Sequence, residues 1–85
     1  MRLLNTTGGR VLSLAGDVDA PAVAAFLRRY GREPARVDRI EAGSVSALSA
    51  PGLELLRDHL AAAELAGRPV VLDPSPAVAR LLANG

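Results

Sequence analysis

Strand-like and helix-like segments alternate along the chain, and this alternation limits its possible folds more than any other feature. Arg10 to Ala15 has the apolar pattern of a strand, which we expect to close at Gly16. A helix follows, because apolar residues recur at helical spacing at Val23, Phe26, Leu27 and Tyr30. Strands separated by helices pair in parallel through right-handed crossovers, so the sequence predicts an α/β fold.

Capping residues mark where the helices begin and end. Asp19 is a favourable N-cap for the first helix, and Pro21 falls in its first turn. Gly31 is expected to end that helix. Ser75 and Pro76 have the same roles at the start of the last helix.

The second half of the chain continues the same order of elements. Val37 to Ala42 is expected from its position to be a strand, although charged residues interrupt its apolar pattern. Gly43 to Gly52 is predicted to be a loop of small residues, and the helix after it ends at Gly67. The apolar stripe of that helix is formed by Leu53, Leu56 and Leu60. Pro69 to Leu72 has the fully apolar sequence of a buried parallel strand.

The two ends of the chain complete the predicted fold. Leu3 to Thr7 is expected to pair with Val11 to Ala15 as a hairpin through a Gly8-Gly9 turn. Gly85 has the position of a C-terminal glycine after the last helix. The inner face of that helix is predicted to be Val78, Leu81 and Leu82. The sequence thus predicts one domain over residues 1–85, with a mixed, mostly parallel four-stranded sheet and about three helices.

The composition argues against several classes of protein. The formal net charge of +1 is too small to indicate nucleic acid or an acidic membrane as a partner. Cysteine is absent, which excludes disulfide bonds, thiolate zinc sites and a cysteine nucleophile. No apolar run approaches the length of a membrane span, and Met1 to Gly9 does not have the pattern of a signal peptide. We therefore expect a cytoplasmic protein with no cofactor and no direct membrane insertion.

Residues that could carry chemistry have simpler interpretations. Asp17 and Asp19 lack the further ligands of a metal site, so we expect a turn acid and a helix cap. His59 is the only histidine, and without a nucleophile elbow it is expected to be a partly exposed helix residue rather than part of a triad. The arginines of residues 28–39 are interrupted by acidic residues, and Tyr30 is the one aromatic residue among them. This favours a solvated helix end over a nucleic-acid site.

Four stretches of the chain form a recognisable series. They are Leu12 to Asp19, Val45 to Leu53, Ala66-Gly67 before Val70 to Leu72, and Ser75 to Val78 with Arg80, Leu81 and Leu82. In their order and spacing they resemble a STAS domain of the anti-sigma factor antagonist type. The similarity covers the chain from Val11 to Gly85. Family members commonly continue past the glycine matching Gly85, so the resemblance implies a STAS-like fold that lacks the family's last strand and helix.

The resemblance implies a non-catalytic protein-binding module. Such antagonists bind a kinase that otherwise holds a sigma factor, and phosphorylation of the serine after a loop Asp breaks the complex by adding charge to the contact surface. Asp19 matches the family's acidic residue beside the loop, Ser49 matches the loop Asp, and Ala50 matches the phosphoacceptor. The resemblance implies that the partner binds through the loop Ser44 to Leu53 and the nearby Asp19. The implied partner-binding residues are Asp19, Ser44, Ser46, Ser49, Ala50, Pro51, Gly52 and Leu53.

Two of these positions depart from the family pattern. Ala50 has no hydroxyl, so the switch cannot operate there, and Ser49 is the nearest residue that could take a phosphate instead. Either the binding surface survives without its control or the partner differs. The main alternative is a STAS subunit bound to the ATPase of a phospholipid-trafficking ABC transporter, which the short chain also resembles. A small hydrolase is disfavoured because no paired catalytic residues are evident.

Val70 to Leu72 is also predicted to lie at an edge of the sheet. An apolar edge with unpaired backbone groups tends to recruit another strand or to be covered. Pro69 and Pro74 bracket this strand and shorten the exposed ladder. We therefore expect a weak homodimer or a partner contact along this edge.

Overall fold

The computed structural model describes residues 1–84. Gly85, with its predicted role after the last helix, lies outside the described residues. The elements, in chain order, are β1 (Arg2–Thr6), β2 (Gly9–Val18), α1 (Ala20–Tyr30), β3 (Arg39–Leu48), α2 (Ala50–Leu65), β4 (Val71–Pro74) and α3 (Pro76–Asn84). The predicted α/β fold with four strands and three helices is confirmed for this part of the chain.

The sheet has the order β1-β2-β3-β4. It is mixed rather than mostly parallel, because β1 pairs antiparallel with β2 while the β2/β3 and β3/β4 pairs are parallel. The predicted hairpin is present, but Thr6 pairs with Gly9, so the turn residues are Thr7 and Gly8 rather than two glycines. The hairpin places β1 at one edge of the sheet, and β4 lies at the other.

The two central strands are longer than predicted. β2 does not close at Gly16 but continues to Val18, and β3 does not end at Ala42 but continues to Leu48. Their pairing is interrupted by two register shifts, and at each shift β3 has one residue more than β2. Gly16 has a φ of +68°, so it supports an irregular strand rather than ending it.

Side chains alternate between the two faces of the sheet, and one face forms the core. Across the four strands, Leu3, Leu12, Ile40 and Leu72 stand in register on this core face. The buried helix residues packed in the same cluster are Val23, Phe26, Leu55, Leu56 and Val78. All three helices therefore contribute to one core on one side of the sheet.

The buried stripe of α2 differs from the predicted one. Leu53 and Leu60 are only half-buried. The buried positions are Gly52, Leu55, Leu56, His59 and Ala63, which follow helical spacing. The predicted stripe is therefore wrong except at Leu56, because a glycine, a histidine and an alanine in the observed stripe do not stand out as apolar in the sequence.

Asp38 joins three strands although it precedes β3. Its N–H donates to the carbonyl of Arg10 (2.8 Å), and its carboxylate accepts from the Arg10 N–H (2.9 Å). Its own carbonyl accepts from the N–H of Val71 at the start of β4 (3.1 Å). The carboxylate can reach β2 only because Gly9, whose φ is +124°, leaves room for it.

β4 is a short strand at the edge of the sheet, as predicted. It is not buried, although its apolar sequence predicts a buried strand. It pairs with β3 only from Arg39 to Ala42, and Val71 is 50% exposed. Beyond Ala42, no strand within residues 1–84 pairs with β3 on this side. α3 lies there instead, and a groove is lined by both elements: Ala47, Leu48, Ala77 and Leu81.

Replacing Gly9 with Ala should lower the free energy of unfolding by about 1–3 kcal/mol. An added Cβ would collide with the Asp38 carboxylate, coming within 2.8 Å of its Cγ, and the backbone has a φ that disfavours L side chains. Gly8→Ala is the matched control, because its nearest neighbour would be the Thr6 hydroxyl at 3.9 Å. Urea denaturation measures both variants. Equal stability of the two would contradict this account of Gly9.

Candidate functional site at the carboxyl edge of the parallel strands

α1 and α2 begin side by side at the C-terminal ends of the two central parallel strands. Each helix starts directly after a parallel strand, α1 after β2 and α2 after β3. The backbone N–H of Ser49 donates to the carbonyl of Val18 at 3.0 Å, which fixes the two starts together. The carboxyl ends of parallel strands are where α/β proteins commonly bind ligands, so this edge is the candidate site.

The Ser49 hydroxyl makes two hydrogen bonds, one as an acceptor and one as a donor. The Oγ accepts from the N–H of Gly52 (3.3 Å), which caps α2, and donates to the carbonyl of Val18 (2.8 Å). Ser49 is half-buried, and its hydroxyl stabilises the fold rather than lying free on the surface. Ser49 is therefore the N-cap of α2.

Asp19 caps α1 in the same manner, as predicted. Its Oδ1 accepts from the N–H of Ala22 at 2.9 Å. The two helices open with related sequences, Asp19-Ala-Pro-Ala and Ser49-Ala-Pro-Gly. This repeat is a sequence signal for two adjacent helix starts, and it could have located the second start.

The predicted binding loop over residues 44–53 is not a loop. Residues 44–48 belong to β3, Ser49 is the cap, and residues 50–53 form the first turn of α2. Register pairs Ser44 with Ala15 on the sheet, and Ser46 is the extra β3 residue at the second register shift. The sheet continues here because Val45 is buried in the core and paired with Gly16.

The predicted binding residues therefore occupy different places. Ala50 and Pro51 are exposed at the first turn of α2, and Ser44 and Ser46 are exposed on β3. Gly52 is buried: an added Cβ would lie 2.8 Å from Leu48 Cδ1 and 2.9 Å from the Val18 carbonyl oxygen. Its role is close packing of α2 on the end of β2, not contact with a partner.

A cleft of about 250 Å³ lies between α1 and α2 and begins at Pro51. Its apolar lining includes Leu27 and Leu55. The charged residues around it are Arg32, Glu33, Glu54 and Asp58. The sequence did not predict this cleft, because its walls come from two helices whose packing is not visible in local patterns.

His59 lines the bottom of this cleft and is 4% exposed, so the prediction of a partly exposed residue is wrong. Its Nε2 accepts from the N–H of Ala35 (3.1 Å), and Nδ1 lies 2.9 Å from the carbonyl oxygen of Leu55. This pattern requires the neutral tautomer with the proton on Nδ1, which donates to Leu55. The imidazole thus links the segment between α1 and β3, which contains Ala35, to α2 by a hydrogen bond.

Within residues 1–84, no three His, Cys, Asp or Glu side chains are grouped to hold a metal ion. None of the helices in this range is long and apolar enough to cross a membrane. No protein-family model, curated protein or solved structure matches the chain. The STAS resemblance therefore stays a prediction from the sequence.

Replacing Ser49 with Ala should destabilise the domain by about 1–2 kcal/mol, because the Gly52 N–H loses its cap and the Val18 carbonyl loses a donor. Ser46→Ala is the control, since Ser46 is exposed on the neighbouring strand. Thermal unfolding of both variants provides the comparison. A Ser49→Ala variant as stable as Ser46→Ala would show that the two hydrogen bonds contribute little.

Proposed function

We propose that the chain is a non-catalytic protein-binding module of the anti-sigma factor antagonist type, with a kinase-type anti-sigma factor as its partner. The contact surface is the first turn of α2 with the adjoining ends of β3 and α1. The observation that carries the proposal is the exposure of Ala50 and Pro51 on a turn held by the Ser49 cap. In this proposal the chain acts in the cytoplasm, where a kinase has ATP.

The shape of this turn supports protein binding. Ala50 and Pro51 are small and exposed, so a partner backbone can approach closely. The turn loses little conformational entropy on binding, because Pro51 restricts the backbone and Ser49 fixes it to Val18. A preorganised, small-residue surface of this kind favours a partner that packs closely against the turn.

The cleft beside Pro51 extends the proposed surface. Leu27 and Leu55 offer it apolar contact, while Glu54 and Asp58 on the α2 side are acidic. A partner side chain that enters the cleft is therefore best matched if it is apolar with a basic neighbour. We therefore expect the part of the kinase surface next to the first turn of α2 to carry an apolar side chain beside a basic one.

Ala50 favours a second candidate function. A methyl group at the phosphoacceptor position makes binding insensitive to a kinase at that position. The one hydroxyl next to it, on Ser49, is engaged in two hydrogen bonds that phosphorylation would break. A permanently bound subunit on the ATPase of a phospholipid-trafficking ABC transporter needs no such switch.

Ala50→Trp should abolish partner binding while leaving the fold intact, because the indole would project from an exposed position into the contact surface. Ala61→Trp adds the same bulk at an exposed position further along α2 and should leave binding unchanged. Both variants and the wild type serve as baits in pull-downs from the native host, read by mass spectrometry. A kinase lost only with Ala50→Trp supports the first function, and an ABC ATPase supports the second. Unchanged capture by a folded Ala50→Trp variant would refute this surface.

Ala50→Ser should create a phosphoacceptor if the partner is a kinase. The new hydroxyl would lie at an exposed helix N-terminus, where the helix dipole stabilises the added negative charge. Incubation with the captured kinase and ATP, followed by fragmentation mass spectrometry, should show phosphate on position 50 of the variant and none there in the wild type. Phosphate on Ser49 of the wild type would instead show that the switch has moved by one residue.

A further inference from the structure

The face of the sheet opposite the helices has no helix of residues 1–84 packed on it. Strand register gives two rows of residues across this open face. One row is Leu4, Val11, Arg39 and Val71; the other is Arg2, Ser13, Glu41 and Asp73. Val11 is only 8% exposed yet lies outside the core cluster, so it is buried by its neighbours on the open face.

The open face combines apolar and charged residues in a fixed order. Leu4 on β1 and Val71 on β4 stand at opposite ends of one row. In the other row, Arg2 is positive at the β1 end, while Asp73 is negative at the β4 end. Arg39 of the first row forms an ion pair with Asp73 of the second row, at a distance of 2.7 Å, so the two rows are linked near β4.

We propose that a second copy of this chain packs on the open face, with the two sheets face to face. The two copies are related by a two-fold axis that runs midway between the sheets, parallel to the strands and level with the gap between β2 and β3. This rotation places β1 of one copy over β4 of the other. Arg2 then faces the partner's Asp73, and Leu4 faces the partner's Val71. Both matches occur twice, since the interface is isologous.

Self-complementarity is the argument for a second copy over another occupant. The two arginines and two carboxylates of the rows cancel, so the rows carry no net positive charge that would attract an anionic surface or polymer. Within their row, Arg2 is positive at the β1 end and Asp73, which also pairs with Arg39 of its own chain, is negative at the β4 end. This order fits the same row turned through the two-fold axis. Four strands span only about 14 Å between the outer strands, so the interface is small and the dimer is weak.

The proposed dimer leaves the carboxyl edge free. The open-face rows do not include Ala50 or Pro51, so partner binding and self-association use separate surfaces. The dimer also differs from edge pairing through β4, in which the two Val71 residues would lie near each other. Site-directed cross-linking separates these geometries, and the chain is suited to it because it has no cysteine.

The experiment uses two single-cysteine variants, Leu4→Cys and Val71→Cys, with a short bismaleimide cross-linker. In the face-to-face dimer, position 4 lies opposite the partner's position 71 across stacked sheets about 10 Å apart, whereas like positions are further apart. A mixture of the two variants should therefore give several-fold more covalent dimer than either variant alone. Wild-type sedimentation from about 10 µM to about 1 mM should show a rising weight-average mass, and Leu4→Arg should abolish the rise.

Each other outcome overturns the proposal. Cross-linking of Val71→Cys alone at the level of the mixture would indicate pairing through the β4 edge. Cross-linking of Leu4→Cys alone would indicate pairing through β1. A wild type that stays monomeric at the highest concentration would show that the open face does not self-associate. Thermal unfolding of each variant confirms that it is folded before cross-linking.

Discussion

The parallel pairing of β2 with β3 is the interaction on which the rest of the structure depends. It runs from the level of Val11 to that of Val18 and determines where both following helices begin. The carbonyl of Val18, at the end of β2, accepts from both the backbone and the hydroxyl of Ser49. The start of α2 is therefore fixed by the end of a strand that precedes it by a whole βα unit.

The same pairing explains why the candidate binding surface is rigid. A ten-residue loop would have to lose considerable freedom on binding, but half of this segment is already a strand and the rest is a capped helix. Gly52 then brings α2 against Val18 and Leu48, and in this first turn of α2 Ala50 and Pro51 are turned outward. The exposed part of the site is small because the surrounding residues are needed for the fold.

Local interactions and the order of strands and helices were predictable from the sequence, whereas the individual contacts between distant residues were not. Asp19, Ser49 and Ser75 cap helices through hydrogen bonds to residues three positions later, so their patterns are visible in short windows. Gly16 and Gly43 suggested strand ends, because a glycine at a bulge and a glycine after a strand have the same local sequence. The burial of Val45, which continues β3, depends on a partner strand far away in the chain.

His59 and Asp38 show the same limit at single side chains. Each makes hydrogen bonds to backbone groups 24 and 28 residues away, respectively, and neither residue type is a usual member of a core or a sheet. A histidine in a leucine-rich helix indicates exposure when only the helix is considered. The ring meets the Ala35 amide only after the chain has passed through β3 and returned along α2.

These distances in sequence also order the events of folding. The β1/β2 hairpin closes through a two-residue turn, a step that takes about 1–10 µs in hairpins generally. The β2/β3 ladder instead brings Arg10 to Asp38 across 28 positions, and the entropy of closing that loop is lost before its contacts form. We therefore expect β2 to pair with β3 more slowly than it pairs with β1, so that the second edge of β2 is the later one to be hydrogen-bonded.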